Sequence, residues 1–186
     1  MNAAIAASFA LAGVRTALHG AAAAWVLGAF QLAVALAFLA RDPERRRATW
    51  PTIAGALPSL AASGFVIAAG GSAPWSAAAT LLVAAGTGVA TMGLLSLGRS
   101  FAVLPGVRTL RTTGLYRWVR HPIYLGETLI LAGAATRLGV WGAAGVLAVL
   151  PLVAWRILLE ERLLSAEADW AEWSARVRWR LLPGVW

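Results

Sequence analysis

The sequence predicts an all-α integral membrane protein with about five transmembrane helices. The first observation is composition, since 60% of the 186 residues are hydrophobic, against roughly 45–50% in a soluble domain by a similar count. The second is that these residues form long apolar runs. The third is charge. Sixteen arginines and eight acidic residues give a net charge of +8, and the arginines stand mainly at the ends of those runs. The length fits one membrane domain, residues 1–186.

The segment before the first long run is predicted to be an interfacial or re-entrant helix over residues 3–14. Arg15 and His19 separate it from the first span, residues 20–40. The segment has no early positive region and no cleavage site before a polar domain. We therefore expect it to be retained rather than removed as a signal peptide.

Four further apolar runs follow, and a helix needs roughly twenty such residues to cross a bilayer. The second span, residues 51–69, and the third, 75–97, are separated by the helix-breaking sequence GGSAP. The fourth span is shorter, residues 122–135, and the fifth covers 140–159. Because few residues join the last two spans, we expect an antiparallel helical hairpin.

Residues 160–180, after the fifth span, carry many charges and have large apolar residues at roughly helical spacing. We expect them to form an amphipathic cytoplasmic helix on the membrane or over the bundle.

Charge predicts the orientation of the spans. Fourteen of the sixteen arginines fall in three segments, residues 41–47, 98–121 and 156–180. Five spans put all three segments on one side, which the positive-inside rule makes cytoplasmic, with the N-terminus outside. The expected location is the plasma membrane of a prokaryote. The tryptophans near predicted span ends, as in an aromatic belt, are Trp25, Trp50, Trp75, Trp141 and Trp155.

Composition argues against several classes of function. The chain has no cysteine, which excludes disulfides and thiolate metal sites. Its two histidines are far apart in sequence and have no clustered carboxylates, so no metal site is expected. The basic charge does not predict nucleic-acid binding, because topology and anionic lipid headgroups explain arginines at span ends.

Polar and ionisable side chains concentrate in residues 114–127, GLYRWVRHPIYLGE. Such groups are costly near a bilayer, so their concentration indicates a site. Pro122 favours a helix start and disfavours helix at the residue before it, which places His121 near the cap. The free N–H groups of that helix end suit an anionic group. Tyr124 and Glu127 can share one face of the helix.

Each of these residues has a simpler explanation when taken alone. Arg117 and Arg120 suit topology and headgroup contacts, and His121 suits an interfacial cap. Tyr116 and Tyr124 suit an aromatic belt, while Glu127, more than a turn inside an apolar run, suits a structural hydrogen bond. Their joint presence favours a site.

A second charged cluster, RILLEER, covers residues 156–162 at the end of the fifth span. Arg156 and Glu160 are four residues apart, so an ion pair along the helix is the simplest explanation. The expected hairpin also brings Glu160 and Glu161 beside His121 and Tyr124 in one pocket. Two carboxylates at a basic surface suit a ligand with cationic groups.

These segments resemble the isoprenylcysteine carboxyl methyltransferase family. The matching sequences are LGRSF at 97–101, GLY at 114–116, RHPIYLG at 120–126, EERL at 160–163 and RVRWRLLPG at 176–184. Phospholipid methyltransferases share the core pattern G-x-Y-x(3)-R-H-P-x-Y-x-G. The resemblance covers residues 94–186, and the first three spans match only in being membrane helices.

The resemblance implies a membrane-embedded enzyme that uses S-adenosylmethionine in a cytoplasmic pocket of residues 98–186, with residues 1–97 on the acceptor side. The residues carried over as cofactor contacts are Tyr116, Arg120, His121, Pro122, Tyr124, Gly126 and Glu160. The residues assigned to catalysis are Glu160, Glu161 and Arg162. The family often has Tyr where this chain has Trp170 and Trp173, and an indole nitrogen cannot accept a hydrogen bond.

The methyl acceptor stays open between a prenyl carboxylate, a thiol and a phospholipid-like molecule. A carboxylate needs an arginine to position it, whereas a thiol or amine needs a base such as Glu160 or Glu161. Membrane lipids are the other expected partners.

Two other functions remain as alternatives. An NADPH-dependent membrane reductase would resemble the steroid 5-alpha-reductase and sterol reductase group, whose C-terminal halves share related His-Pro-x-Tyr patterns. A non-enzymatic scaffold or transporter is the third. Few ionisable residues lie in the first three spans, which argues against transport, and the convergence of polar residues on one pocket argues against a scaffold.

Overall fold

The computed structural model describes residues 2–18, 22–40, 46–47, 49–71, 73–100, 106–107 and 110–186. His19, Phe101, Arg108 and most of the arginine-rich loop 41–47 lie outside these ranges, together with the expectations placed on them. The helices are α1 Asn2–Ala17, α2 Ala22–Ala40, α3 Trp50–Ala69, α4 Ala77–Leu97, α5 Pro122–Ala135, α6 Val140–Leu164 and α7 Trp170–Arg176. Short 3₁₀ helices cover Gly98–Ser100, Gly114–Arg117 and Thr136–Leu138, and two-residue strands cover β1 Arg46–Arg47 and β2 Gly106–Val107. The predicted all-helical class is confirmed.

Within the described ranges, three helices are long and apolar enough to cross a membrane: α3, α4 with its extension to Ser100, and α6. A shorter apolar stretch covers Ala22–Ala37 of α2. The fourteen residues of α5 extend about 21 Å at the rise of an α-helix, less than the ~30 Å of a hydrocarbon core. The helices support an integral membrane protein.

The helix boundaries near the polar segments agree with the prediction at one end and differ at the other. Helix α5 begins at Pro122 with His121 as its cap residue, as predicted. Helix α6 continues to Leu164, five residues beyond the predicted end of the fifth span. Glu160 and Glu161 therefore belong to the last turns of α6 rather than to a following segment.

The prediction of a single amphipathic helix over residues 160–180 is wrong. Helix α6 ends at Leu164, the chain turns, and α7 contains only seven residues. The end of α7 depends on a residue that is distant in sequence, because the Arg120 guanidinium donates to the carbonyl oxygens of Ser174 (2.7 Å) and Val177 (2.6 Å). These bonds satisfy carbonyls that a continuing helix would have used.

Helices α4 and α5 pack closely through two glycines. A Cβ at Gly126 would lie 2.5 Å from the carbonyl oxygen of Gly86, and a Cβ at Gly86 would lie 2.6 Å from that of Gly126. Small residues let helix backbones approach in this way, which is typical of membrane proteins. The contact seats the N-terminal half of α5 against α4.

Contacts between loops identify the two ends of the bundle. At one end β1 pairs with β2, antiparallel, with Arg46 opposite Val107 and Arg47 opposite Gly106. This pairing brings the α2–α3 and α4–α5 connections together, both rich in arginine. At the other end, the Arg137 side chain donates to the Ala73 carbonyl (3.0 Å from Nε) and lies 4.1 Å from the centre of the Trp75 ring.

Candidate active site

Glu161 is the centre of an ionic cluster. Its Oε1 accepts a hydrogen bond from Arg120 Nη1 (3.1 Å) and lies 3.3 Å from His121 Nε2. Its Oε2 accepts from Arg180 Nε (3.0 Å) and Nη2 (2.8 Å). The Glu161 side chain is only 10% exposed. Its lone pairs are thus directed at three basic side chains, an arrangement that suits holding the site together better than accepting a proton.

The backbone joins the C-terminal tail to the start of α5. The Arg120 N–H donates to the Trp179 carbonyl (2.8 Å), and the His121 N–H donates to the Arg180 carbonyl (2.9 Å). Pro122 then supplies the first residue of α5, and it has no N–H group that would need an acceptor. Carbonyl oxygens of the tail therefore accept hydrogen bonds from the backbone N–H groups of two residues that the resemblance assigns to the site.

Tyr124 links the site to a second ion pair. Its hydroxyl donates to Glu160 Oε2 over 2.6 Å, and its ring lies edge-on to His121 at 5.5 Å. The Arg156 guanidinium carbon lies 4.5 Å from the centre of the Tyr124 ring. Arg156 Nη1 also donates to Glu127 Oε2 over 3.2 Å. Glu160, Tyr124, Arg156 and Glu127 form one continuous chain of contacts that alternates between α6 and α5 and ends on α5.

An aromatic cluster supports the same region. Tyr116 is buried with Trp170, Trp173 and Val177. The Trp173 indole N–H donates to the Tyr116 carbonyl over 3.2 Å, and the two tryptophan rings meet at 61° with centres 5.2 Å apart. Burial raises the pKa of Tyr116 well above its ordinary value, and the nearby Glu160 charge raises it further. The Tyr116 hydroxyl therefore stays protonated.

A cavity of about 340 Å³ opens beside this cluster. Its lining residues are Arg120, Leu158, Glu161, Arg162, Ser165, Trp170 and Arg180. The volume lies within the roughly 300–1,000 Å³ of small-molecule sites. Charged groups of both signs and one indole face the same space.

Most of the residues predicted for the site lie in or beside this region. Arg162 lines the cavity, and its guanidinium carbon lies 5.6 Å from the centre of the Trp155 ring. Gly126 differs from the other predicted site residues, because it packs against another helix. A Cβ at Gly126 would project into atoms of α4. A contact between Gly126 and a cofactor stays a prediction, whereas its packing against α4 is a feature of the fold.

Two features of the site differ from the sequence analysis. Arg156 pairs with Glu127 on α5 at 3.2 Å, a partner that the spacing from Glu160 does not predict. Arg180 makes the shortest ion pair to Glu161, at 2.8 Å, and nothing in the sequence singles it out among the arginines of the tail. The sequence contains one indication of the pair between Arg156 and Glu127. Both are ionisable residues inside apolar runs, and such groups pair with each other.

The fold is similar to a solved structure of the eukaryotic intramembrane Ras methyltransferase, isoprenylcysteine carboxyl methyltransferase, determined without a monobody. The match covers 99% of this chain and 75% of that chain, with a TM-score of 0.54 and 19% sequence identity. At this identity the similarity is one of fold. A comparison with curated protein sequences finds no match.

The apolar helices and a family match together indicate a membrane methyltransferase. Residues 75–167, half of the 186-residue chain, match the profile of the phospholipid methyltransferase family. The chain belongs to that family. The resemblance seen in the sequence is thereby confirmed.

Proposed function

We propose that this protein transfers a methyl group from S-adenosylmethionine to a small lipophilic acceptor in the membrane. The observation that carries the proposal is the cavity of about 340 Å³ bounded by Glu161 and by Arg120, Arg162 and Arg180. Membership of a methyltransferase family supports the reaction class.

The chemistry of the lining fits this cofactor. Its amino-acid end carries a carboxylate and an ammonium group, which suit guanidinium and carboxylate partners respectively. Trp170 offers a flat apolar ring for an aromatic base. When bound, S-adenosylmethionine supplies a methyl group on a positively charged sulfur.

The chain's own residues then have separate tasks. Glu161 holds Arg120, His121 and Arg180 in fixed positions. Arg162, which lines the cavity, and Glu160, whose Oε2 accepts from Tyr124, are the residues proposed to meet the cofactor's polar end. Alignment of acceptor and methyl group, and exclusion of water, supply most of the rate enhancement in such a displacement.

The membrane arrangement is part of the proposal. Five spans, with α5 and α6 as an antiparallel hairpin, put the arginine-rich segments and the site on the cytoplasmic side of a prokaryotic plasma membrane. The pairing of β1 with β2 supports a shared side for two of those segments. Three helices of the described chain meet the length and hydropathy expected of a span, and α2 and the short α5 complete the proposed count.

Titration of the detergent-solubilised protein with S-adenosylhomocysteine, and separately with NADPH, tests the proposal. We expect micromolar binding of S-adenosylhomocysteine and no binding of NADPH. Tyr124→Phe removes the hydroxyl that holds Glu160 in place. It should weaken S-adenosylhomocysteine about tenfold, because a misplaced Glu160 loses a charged hydrogen bond to the ligand's ammonium group, worth about 1.5 kcal/mol or more.

The matched control is Glu172→Gln, at a carboxylate that is 79% exposed on α7, which should leave the affinity unchanged. Binding of NADPH alone would overturn the proposal in favour of a reductase. Binding of neither ligand would favour a non-enzymatic protein.

A further inference from the structure

Residues 181–186 turn back toward the segment that precedes them. The Val185 N–H donates to the Leu182 carbonyl over 3.1 Å, which closes a tight turn. Pro183 and Gly184 are the central residues of this turn, and Gly184 has a φ of 84°. Proline followed by a glycine with positive φ is the combination that suits a type II turn. The turn reverses the chain direction just before Trp186.

The backbone oxygen of Trp186 is bound by the segment to which the chain returns. It accepts hydrogen bonds from the N–H groups of Arg180 (2.9 Å), Leu181 (2.9 Å) and Leu182 (3.3 Å). Successive N–H groups that point at one oxygen form a concave binding site for it. These three bonds fix the backbone of Trp186 beside Arg180.

The Trp186 side chain contacts both the helix bundle and Arg180. It packs against the apolar cluster to which Val153 and Ile157 of α6 belong. The Arg180 guanidinium carbon lies 5.2 Å from the centre of its ring, within the roughly 6 Å at which an aromatic face attracts a cation. The bundle therefore holds the ring, and the ring meets the guanidinium.

Arg180 needs this support more than Arg120, the other arginine bound to Glu161. The Arg120 side chain is 13% exposed and also donates to two backbone carbonyls. The Arg180 side chain is 28% exposed. In the described part of the chain, its guanidinium has Glu161 as hydrogen-bond partner and the Trp186 ring as stacking partner. A partly exposed ion pair is weakened by water and by side-chain entropy unless the side chain is already held in place.

We infer that Trp186 is a positioning residue, which keeps the Arg180 guanidinium directed at Glu161 and the cofactor cavity by stacking on it. The inference rests on the proposed function. The seven residues that line the cavity, all of them described, include Arg180 and Glu161 but not Trp186. Any effect of Trp186 on a bound cofactor therefore passes through Arg180. Because the stack already restricts the Arg180 side chain, binding of the cofactor costs less side-chain entropy.

The affinity for S-adenosylhomocysteine of two variants, measured by calorimetry on the full chain in detergent, tests the inference. Trp186→Leu keeps an apolar side chain against the cluster but removes the aromatic face. It should weaken binding about fivefold, the equivalent of a cation–π contact of about 1 kcal/mol. Trp186→Phe keeps a ring and should bind within about twofold of the wild type. A loss in Trp186→Phe as large as in Trp186→Leu, or no loss in either, would overturn the inference.

The Arg180→Gln background shows whether the effect passes through Arg180. Since this change removes the guanidinium, adding Trp186→Leu to it should alter the affinity by less than about twofold. A further loss of about fivefold would show that Trp186 acts elsewhere and would contradict the inference. The matched control is Trp141→Leu, at an indole that is 79% exposed near the start of α6. It should leave the wild-type affinity unchanged.

The reactivity of Arg180 toward phenylglyoxal supplies a readout that requires no cofactor. Peptide mass spectrometry compares its rate of modification with that of Arg176, whose side chain is 66% exposed. The stacked ring shields one face of the guanidinium, so Trp186→Leu should raise the ratio of the two rates about threefold or more. An unchanged ratio would sink the inference. If the wild type binds no S-adenosylhomocysteine, the proposed function falls, whereas this ratio still decides whether Trp186 holds Arg180.

Tetrafluorotryptophan in place of Trp186 covers the case in which Trp186→Leu does not fold. Fluorine withdraws electron density from the face of the ring, which weakens the attraction to a cation and leaves the shape of the side chain nearly unchanged. Incorporated by nonsense suppression, it should weaken S-adenosylhomocysteine about threefold. An affinity equal to that of the wild type would show that packing alone accounts for Trp186, contrary to the inference.

Discussion

Glu161 is the residue at which three segments of the chain meet. Arg120 and His121 come from the start of α5, Arg180 comes from the tail, and Glu161 itself lies on α6. A buried ion cluster of this kind contributes little net stability compared with apolar packing, but the loss of one member leaves the others uncompensated. The residue thus defines the geometry of the site more than the stability of the fold.

Glu161→Gln tests this role by neutralising the carboxylate while keeping its shape. We expect a loss of about 3 kcal/mol in the free energy of unfolding, since two arginines then lack their buried counter-charge. The measurement is unfolding by denaturing detergent in mixed micelles. Glu172→Gln, at the exposed pair with Arg176, should cost less than about 0.5 kcal/mol. Equal effects of the two variants would contradict the central role of Glu161.

At the scale of the elements, the contact between α4 and α5 fixes where the site lies. The backbones meet at Gly86 and Gly126, so no side chain separates the two helices there. Tyr124 and Glu127, one on each side of Gly126 in sequence, inherit their positions from this contact. The fold therefore needs glycine at a position that the resemblance assigns to cofactor binding.

Gly126→Ala should separate the two helices, because the new methyl group would lie 2.5 Å from a carbonyl oxygen of α4. Overpacking of this size costs about 1–3 kcal/mol, and the displaced Tyr124 should also weaken S-adenosylhomocysteine binding. The control is Gly88→Ala on α4, where a Cβ meets no atom within 4 Å. Gly88→Ala should keep stability and affinity, and a loss in both variants would rule out the specific contact.

The sequence predicted those elements whose causes are local. The start of α5 followed from Pro122, because proline restricts its own backbone and that of the residue before it. The shortness of α7 could not be predicted, since its end depends on Arg120, which donates to the Ser174 carbonyl from 54 residues away. The pairing of Arg156 with Glu127 depends on how α6 is rotated against α5. A helix that is apolar on nearly all sides gives no indication of that rotation.

At the scale of the whole molecule, the two ends of the bundle carry different charge, and this asymmetry predicts its orientation. The absence of cysteine allows single-cysteine variants to report on each end. In intact bacterial cells, a maleimide that cannot cross the membrane should label Val140→Cys, at the start of α6, and not Ala175→Cys on α7. Both should react after the cells are permeabilised, and the cysteine-free wild type is the control. The reverse pattern would overturn the proposed topology.

The attachment of the tail to the start of α5 has a consequence for biosynthesis. The carbonyls of Trp179 and Arg180, and the Arg180 side chain, complete a site whose other members lie 19 to 60 residues earlier in the chain. Every helix of the bundle can therefore insert into the membrane before the site exists. A chain truncated shortly before Trp179 therefore keeps helices α1 to α7 and lacks the groups that complete the Glu161 cluster.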